Sequence, residues 1–241
     1  MTDLSVVVPV YNEEGAIETL VDDLGAVLTP LFSDLEVIVV DDASTDETPA
    51  ILARLARERP WLRVERAAAN AGHGPSVVRG LGLARADWVF QIDSDGQFVV
   101  AEFPQLWARR EEGDLVLGVR ENRRDPTHRL LLSRVVRLAS SLLVGARMRD
   151  VNTPFRLVRR AVWEDLRPLV GSSTLAPNIF VAVGAKVRGW NVVELPATHR
   201  PRVTGTGSLR ALRLVRFSLR AFGQLLAFRA RLRRFPPRAD T

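Results

Sequence analysis

The chain has 241 residues, of which 46% are hydrophobic and 26% charged, a composition typical of a globular protein rather than a disordered one. It contains no cysteine, which excludes disulfides and thiolate metal sites. The formal net charge is +6 and Lys186 is the only lysine, so the charge favours phosphorylated substrates, anionic lipids or nucleic acids as partners.

The sequence predicts neither a signal peptide nor a membrane-spanning helix. Residues 1–3 lead directly into a predicted strand, and the longest apolar segment, 130–146, is interrupted by Arg134 and Arg137. We therefore expect a cytoplasmic protein that is soluble or attached peripherally to a membrane.

Predicted strands and helices alternate along the chain, which is typical of an α/β fold with a mainly parallel sheet. Apolar and β-branched runs predict strands over residues 4–10, 35–40, 62–65, 87–92, 114–120, 155–158 and 192–195. Helical periodicity is clearest over residues 14–28, 127–144 and 177–187.

An acidic motif, Asp93-Ser94-Asp95-Gly96-Gln97, follows the fourth predicted strand. On extended backbone, two carboxylates two residues apart point the same way, and Gln97 adds a further oxygen. Oxygen ligands of this kind suit Mg²⁺ or Mn²⁺ held together with a substrate's phosphates. An acidic turn exposed to solvent is the alternative interpretation.

Two other polar clusters, residues 11–13 and 41–42, also follow predicted strands. In a parallel sheet these clusters and the acidic motif converge on the carboxyl edge, where ligands bind. This convergence favours a binding site over three unrelated turns.

Three ordered motifs resemble those of family 2 glycosyltransferases: Val8-Pro9-Val10-Tyr11-Asn12-Glu13-Glu14, Val39-Val40-Asp41-Asp42-Ala43-Ser44-Thr45-Asp46, and the acidic motif. The resemblance implies the GT-A fold, a Rossmann-like domain that binds a nucleotide-diphosphate sugar and a divalent metal. We expect this domain over residues 1–207, with a basic helical extension over residues 208–241.

Further segments are similar to polyprenyl-phosphate sugar transferases of the dolichol-phosphate mannosyltransferase type: 118–120, 129–134, Asp150 with 155–156, and 194–208. This similarity implies transfer of a sugar from a UDP- or GDP-linked donor to a polyprenyl phosphate. In-line attack by the lipid phosphate, which is already ionised at neutral pH, predicts inversion without a dedicated general base.

The same resemblance assigns residue roles. It implies a nucleoside site made of Pro9, Tyr11, Glu13, Val40 and Asp42, and a metal site at the diphosphate made of Asp93, Asp95 and Gln97. The acceptor's phosphate would be received by Arg120, Arg129 and Ser133, which with Asp95 form the predicted catalytic set. Arg202 would close over the donor phosphates.

One departure concerns the Gly-rich turn at residues 70–74, which precedes a predicted helix, where relatives often have lysine and this chain has His73. We interpret His73 as a turn residue rather than an acid/base catalyst. The change bears on the identity of the donor.

Residues 208–234 carry apolar residues at helical spacing together with many arginines. The pattern predicts a basic amphipathic helix that lies on an anionic membrane surface, or one that packs on the core or on a second copy of the chain.

Other functions are compatible with parts of the sequence. A glycosyltransferase of the same fold could act on a glycolipid or cell-wall glycan, with Asp150 as the candidate base. A nucleic-acid-binding protein would suit the charge, but the acidic residues at the strand ends would repel a phosphate backbone. An inactive scaffold is disfavoured by the intact acidic motif.

Overall fold

The computed structural model describes residues 2–121, 148–200 and 211–234. The strands of these residues are β1 (Leu4–Val10), β2 (Leu35–Asp41), β3 (Leu62–Arg66), β4 (Trp88–Gln91), β5 (Leu115–Glu121), β6 (Arg156–Arg159) and β7 (Val192–Thr198). They form one seven-stranded sheet in the order β3-β2-β1-β4-β6-β5-β7. All pairings are parallel except those of β6, which runs antiparallel to both β4 and β5.

The helices are α1 (Ile17–Leu28), α2 (Thr48–Glu58), α3 (His73–Leu83), α4 (Phe103–Ala108), α5 (Arg160–Val170), α6 (Pro177–Val187) and α7 (Ala211–Leu232). One face of the sheet packs on α1, α2 and α4, and the other on α3, α5, α6 and the end of α7. The central strands are buried on both sides, which explains their continuous apolar sequences.

The mixed α/β fold confirms the sequence prediction. All seven predicted strands are present, and the predicted helix at 177–187 matches α6. The first helix begins at Ile17 rather than near residue 14, because residues 11–15 form turns at the carboxyl edge of the sheet. The predicted helix over 127–144 lies outside the described residues.

The end of α7 packs on the domain through Leu225, Phe228 and Leu232, which are buried. The rings of Phe228 and Phe180 in α6 lie 4.8 Å apart between centroids. This part of the helix therefore follows the prediction of packing on the core. No helix in the described ranges is both long enough and apolar enough to span a bilayer.

The start of α3 meets the loop of residues 171–176, which joins α5 to α6. A Cβ atom added to Gly74 would lie 2.0 Å from the carbonyl oxygen of Thr174 and 2.8 Å from that of Leu175. Real Cβ atoms do not approach backbone this closely, so only glycine permits the contact.

We predict that Gly74→Ala lowers the free energy of unfolding by about 1–3 kcal/mol, because backbone must move to admit the methyl group. Gly82→Ala in the same helix is the matched control, since a Cβ there has no atom within 4 Å. Urea unfolding should show Gly82→Ala unchanged or stabilised by up to about 1 kcal/mol. Equal stability of the two variants would contradict the packing argument.

Candidate active site

The polar clusters predicted from the sequence meet along one edge of the sheet. The carboxyl ends of the parallel strands β2, β1, β4 and β5 lie on this edge, and the antiparallel strand β6 begins there at Arg156. The edge therefore collects loops from across the sheet, as the topology predicts.

The loops that follow β1 and β2 are joined to each other by hydrogen bonds that involve side chains. Ser44 Oγ accepts the backbone N–H of Asn12 at 3.0 Å, and Thr48 Oγ1 accepts that of Glu13 at 2.9 Å. In return, Asn12 Oδ1 accepts the N–H of Thr45 at 2.8 Å. Asn12 adopts a positive φ of 53°, which asparagine tolerates well. Because the hydrogen bonds run in both directions, each loop stabilises the conformation of the other.

Asp46 belongs to the same network of hydrogen bonds between the two loops. Its carboxylate accepts the N–H of Thr48 at 3.0 Å and that of Glu14 at 3.2 Å. Burial acts to raise the pKa of Asp46, but the hydrogen bonds from Thr48 and Glu14 outweigh it and hold the pKa below its ordinary value. A charged Asp46 therefore stabilises the joined loops at neutral pH.

The predicted nucleoside residues differ in exposure. Tyr11 is 44% exposed, whereas Glu13 and Asp42 are buried. Pro9 and Val40 are register partners on adjacent strands, and their side chains are buried below the edge. The structure thus brings all five residues to one corner and leaves the Tyr11 ring as the surface most open to a base.

Asp42 anchors the Gly-rich turn that precedes α3. Its two carboxylate oxygens accept the backbone N–H groups of Ala71 at 2.8 Å and Gly72 at 2.7 Å. Gly72 has a φ of +98°, a conformation that glycine adopts readily. Asp42 thereby determines the position of the next residue, His73.

The acidic motif differs in one respect from the prediction. Strand β4 ends at Gln91, and Ser94 and Asp95 lie in a turn, with Gly96 at a φ of +68°. The argument that both carboxylates share one face of extended backbone is therefore wrong for Asp95. Asp95 Oδ1 instead accepts the N–H of Gln97 at 3.2 Å and stabilises the turn.

Gln97 connects the motif to the segment that follows β7. Its side-chain amide donates to the carbonyl oxygen of Arg200 at 3.0 Å, and the Arg200 N–H donates to the Gln97 carbonyl at 2.8 Å. The donating nitrogen is turned toward Arg200, which leaves the amide oxygen, the atom that a cation requires, on the other side of the group.

The residues of the motif fit a hard divalent cation. Asp93 Oδ1 is buried and has no hydrogen-bond partner among the described residues. Asp93, Asp95 and Gln97 offer only oxygen ligands, which Mg²⁺ and Mn²⁺ prefer. Within the described ranges no three His, Cys, Asp or Glu side chains are grouped as a complete metal site, so the cation would also need Gln97 and substrate oxygens.

His73 was interpreted from the sequence only as a turn residue. It begins α3, its side chain is half-exposed, and its Nε2 lies 3.7 Å from Asp93 Oδ1. The Asp42 anchor on the preceding residues is what brings it there. His73 therefore lies between the predicted nucleoside corner and the acidic motif.

Arg120, at the end of β5, forms a bidentate ion pair with Asp150. Arg120 Nε and Nη2 donate to the two carboxylate oxygens at 2.6 and 2.9 Å, and both side chains are nearly buried. Glu194 in turn accepts the backbone N–H of Arg149 at 2.8 Å. The pair places a guanidinium fork at the end of β5, where the sequence predicts the acceptor phosphate.

Sequence reasoning counted Arg156 in a similar segment but gave no role to the buried polar residues beneath the edge. Arg156 is 1% exposed and donates to the carbonyl oxygens of Val151, Thr153 and Asn178. Burial lowers the pKa of Arg156 to about 9, although Asp150 and Asp93 act to raise it. The guanidinium is therefore charged at neutral pH, close to the acidic motif.

Residues 5–167 match the model of the family described as "Glycosyl transferase family 2". The chain belongs to this family. The match confirms the resemblance inferred from the three motifs, because it spans β1, β2 and the acidic motif in one continuous segment.

Curated members of the family include undecaprenyl-phosphate 4-deoxy-4-formamido-L-arabinose transferases. The protein of Pseudomonas paraeruginosa is 32% identical over 215 residues, which cover 88% of this chain and 62% of the relative. That of Enterobacter sp. is 29% identical, with 88% of this chain and 64% of the relative covered. The family 2 chain thus spans less than two thirds of the length of these relatives.

Solved structures of similar fold include glucosyl-3-phosphoglycerate synthase from Mycobacterium tuberculosis. Its complex with UDP aligns with a TM-score of 0.72 and 21% identity, covering 95% of this chain and 80% of the other. Its complex with Mn²⁺, UDP and glucosyl-3-phosphoglycerate aligns with a TM-score of 0.69 and 19% identity, over 95% and 80% of the two chains. The predicted GT-A fold is confirmed.

Three of the predicted site residues, Arg129, Ser133 and Arg202, lie outside the described residues. The others are at the carboxyl edge, but their separate roles stay predictions. The assignment to the dolichol-phosphate mannosyltransferase type likewise stays a prediction.

We predict that Asp42→Asn lowers the free energy of unfolding by about 1–3 kcal/mol. Asparagine has a single acceptor oxygen, so one of the two backbone N–H groups that Asp42 accepts, those of Ala71 and Gly72, would face an NH₂ group instead. Hydrogen exchange at Ala71 or Gly72 should become faster. The matched control is Asp23→Asn on the exposed face of α1. If both variants unfold at the same urea concentration, Asp42 is not the anchor of the turn.

Proposed function

We propose that the chain transfers a sugar from a nucleotide-diphosphate sugar to a polyprenyl phosphate, with a divalent cation and inversion at the sugar carbon. The observation that carries the proposal is the order of groups along the carboxyl edge. Tyr11 and Asp42 lie at β1 and β2, Asp93 follows β4, and Arg120 ends β5. This order matches a nucleoside, a diphosphate with its cation, and an acceptor phosphate.

On the donor side, the exposed Tyr11 ring and the locked loops at residues 11–14 and 44–48 offer a preformed surface for the nucleoside. Asp93, Asp95 and Gln97 would hold Mg²⁺ or Mn²⁺ at the diphosphate, with the ion neutralising the charge that develops on the departing nucleoside diphosphate. Arg202 is proposed to add a second positive charge there.

On the acceptor side, Arg120 is proposed to bind the lipid phosphate together with Arg129 and Ser133. The Asp150 carboxylate already occupies the Arg120 fork in the bidentate manner that a phosphate would adopt. Asp150 thus keeps Arg120 oriented until a phosphate competes for it, so that the nucleophile is positioned rather than deprotonated.

The bond changes follow from this arrangement. The second pKa of a phosphate ester is about 6, so the lipid phosphate is ionised at neutral pH. One of its oxygens attacks the anomeric carbon from the side opposite the leaving group. The bond from that carbon to the diphosphate breaks, and the nucleoside diphosphate leaves with the electron pair. One product is the polyprenyl phosphate that now carries the sugar, with inverted configuration at the anomeric carbon. The other product is the free nucleoside diphosphate.

Similarity supports the acceptor class. The relatives from Pseudomonas paraeruginosa and Enterobacter sp. are named for transfer to undecaprenyl phosphate. The UDP and Mn²⁺ bound in the mycobacterial synthase complex are consistent with the proposed donor and cation. The sugar itself is left to experiment.

A second candidate function is transfer to the hydroxyl group of a glycolipid or glycan. A hydroxyl nucleophile requires a general base, and Asp150 is the carboxylate beside Arg120. Its bidentate pairing with Arg120 disfavours this function, because both carboxylate oxygens are already engaged by the guanidinium.

The direct test is a product assay with radiolabelled UDP- and GDP-sugars, Mn²⁺ or Mg²⁺, and polyprenyl phosphate. We expect label in the organic phase only when lipid phosphate and cation are both present. Asp95→Ala should reduce the rate by about 100-fold or more, since it removes charge stabilisation at the leaving group. Nucleotide release without lipid labelling would move the acceptor elsewhere, and no turnover with any donor would refute the proposal.

Asp150→Asn separates the two acceptor classes in the same assay. If Asp150 only orients Arg120, the variant should retain a maximal rate within about tenfold of the parent and show weaker binding of the lipid phosphate. A loss of about 1,000-fold in the maximal rate, rescued at high pH, would instead favour Asp150 as a general base.

We also propose that α7 attaches the protein peripherally to the cytoplasmic face of a membrane. Its buried face is occupied by the domain, but Arg220, Arg231 and Arg234 are exposed, as is Leu226 at 47%. Charge complementarity favours anionic lipid headgroups as the partner of this outer face.

Vesicle flotation tests the attachment without removing the packed end of the helix. The double variant Arg231→Glu, Arg234→Glu should bind anionic vesicles about tenfold or more weakly, because each basic residue near the surface contributes about 1 kcal/mol. The control is Arg57→Glu, Arg85→Glu, which changes the same charge at exposed positions away from α7. Equal loss in both double variants would show only an effect of net charge.

A further inference from the structure

Gln91, the last residue of β4, is fully buried, and neither polar end of its side-chain amide has a hydrogen-bond partner among the described residues. A buried amide without partners opposes folding, because it has given up its hydrogen bonds to water. Such groups are rare in native proteins, and each one calls for an explanation.

The position of Gln91 relates it to the acidic motif. Across the sheet it is the register partner of Val7 and Arg156. The N–H of Ile92 still bonds to the carbonyl of Val7 at 3.1 Å, so the extended backbone continues past Gln91. Because side chains alternate along such backbone, Gln91 and Asp93 lie on the same face.

Other observations agree with this assignment of faces. Phe90 and Ile92 belong to the core on the α1 side of the sheet, whereas Asp93 lies 3.7 Å from His73 of α3 on the other side. The unpartnered amide of Gln91 and the unpartnered Oδ1 of Asp93 are therefore neighbours on the α3 face.

The nearby donors are engaged or too distant. The Arg156 guanidinium donates to the carbonyl oxygens of Val151, Thr153 and Asn178. His73 Nε2, at 3.7 Å from Oδ1, is beyond hydrogen-bond distance. Among the described residues, the amide nitrogen of Gln91 is an unpartnered donor two residues from Asp93 and on the same face.

We propose that Gln91 is a positioning residue for Asp93, donating a hydrogen bond from its amide to Asp93 Oδ1 when the carboxylate binds the divalent cation. This inference rests on the proposed metal site. Carboxylate ligands are commonly held in one orientation by such an outer hydrogen bond. Gln91 can reorient its amide at little cost, because the terminal torsion of glutamine is broad.

The proposal predicts opposite changes in stability and in metal binding. Gln91→Met replaces the amide with an apolar group of similar size. Without the unpartnered polar atoms the folded protein should melt about 2–4 °C higher. The affinity for Mn²⁺ in the presence of UDP, measured from the electron paramagnetic resonance signal of free Mn²⁺, should fall about tenfold.

Gln105→Met, the same substitution at an exposed position of α4, is the matched control and should change neither quantity. A more stable Gln91→Met protein with unchanged Mn²⁺ affinity would overturn the inference. So would a less stable one, because the amide would then be needed by the fold itself. If the parent protein binds neither Mn²⁺ nor UDP, the proposed function fails first and the inference fails with it.

Discussion

The carboxyl edge depends on one buried cation. Arg156 carries its guanidinium into the interior and is held there by the carbonyl oxygens of Val151, Thr153 and Asn178, with no carboxylate in direct contact among the described residues. These bonds join the start of β6 to the segment that carries Asp150 and to the first turn of α6. An apolar residue in its place would leave the three carbonyl groups without partners, which is more unfavourable than losing the cation alone.

The same cation accounts for the electrostatics of the cleft. Asp93 and Asp150 lie near enough to Arg156 to favour its charged form, and Arg120 opposes it. Arg156 therefore places a positive charge of the protein beneath the acidic motif. Asp150 is in turn shared between two arginines, the hydrogen-bonded Arg120 and the nearby Arg156.

Much of the fold and part of the site follow from the sequence. The strands could be predicted because buried parallel strands require uninterrupted apolar runs, and the edge could be predicted because parallel strands end together.

The helices α4 and α5 were not predicted: α4 is short, and α5 follows a strand of only four residues without a turn. The turn at Asp95 broke the period-two argument because Gly96 allows the backbone to leave the extended conformation. The roles of Gln91 and Arg156 could not be predicted, although Arg156 belongs to a segment that carries the resemblance, since those roles arise from neighbours distant in sequence.

The contact of Gly74 with Thr174 has a consequence for motion. It joins the start of α3, the helix that follows β3, to the loop between α5 and α6. Carbonyl groups in van der Waals contact with a glycine backbone leave no room for sliding. The two flanks of the cleft are therefore expected to move as one body, with no hinge between them. For the proposed reaction, entry of the donor and exit of the product would then occur through rearrangement of individual loops, and turnover would be paced by loop motion rather than by opening of the domain.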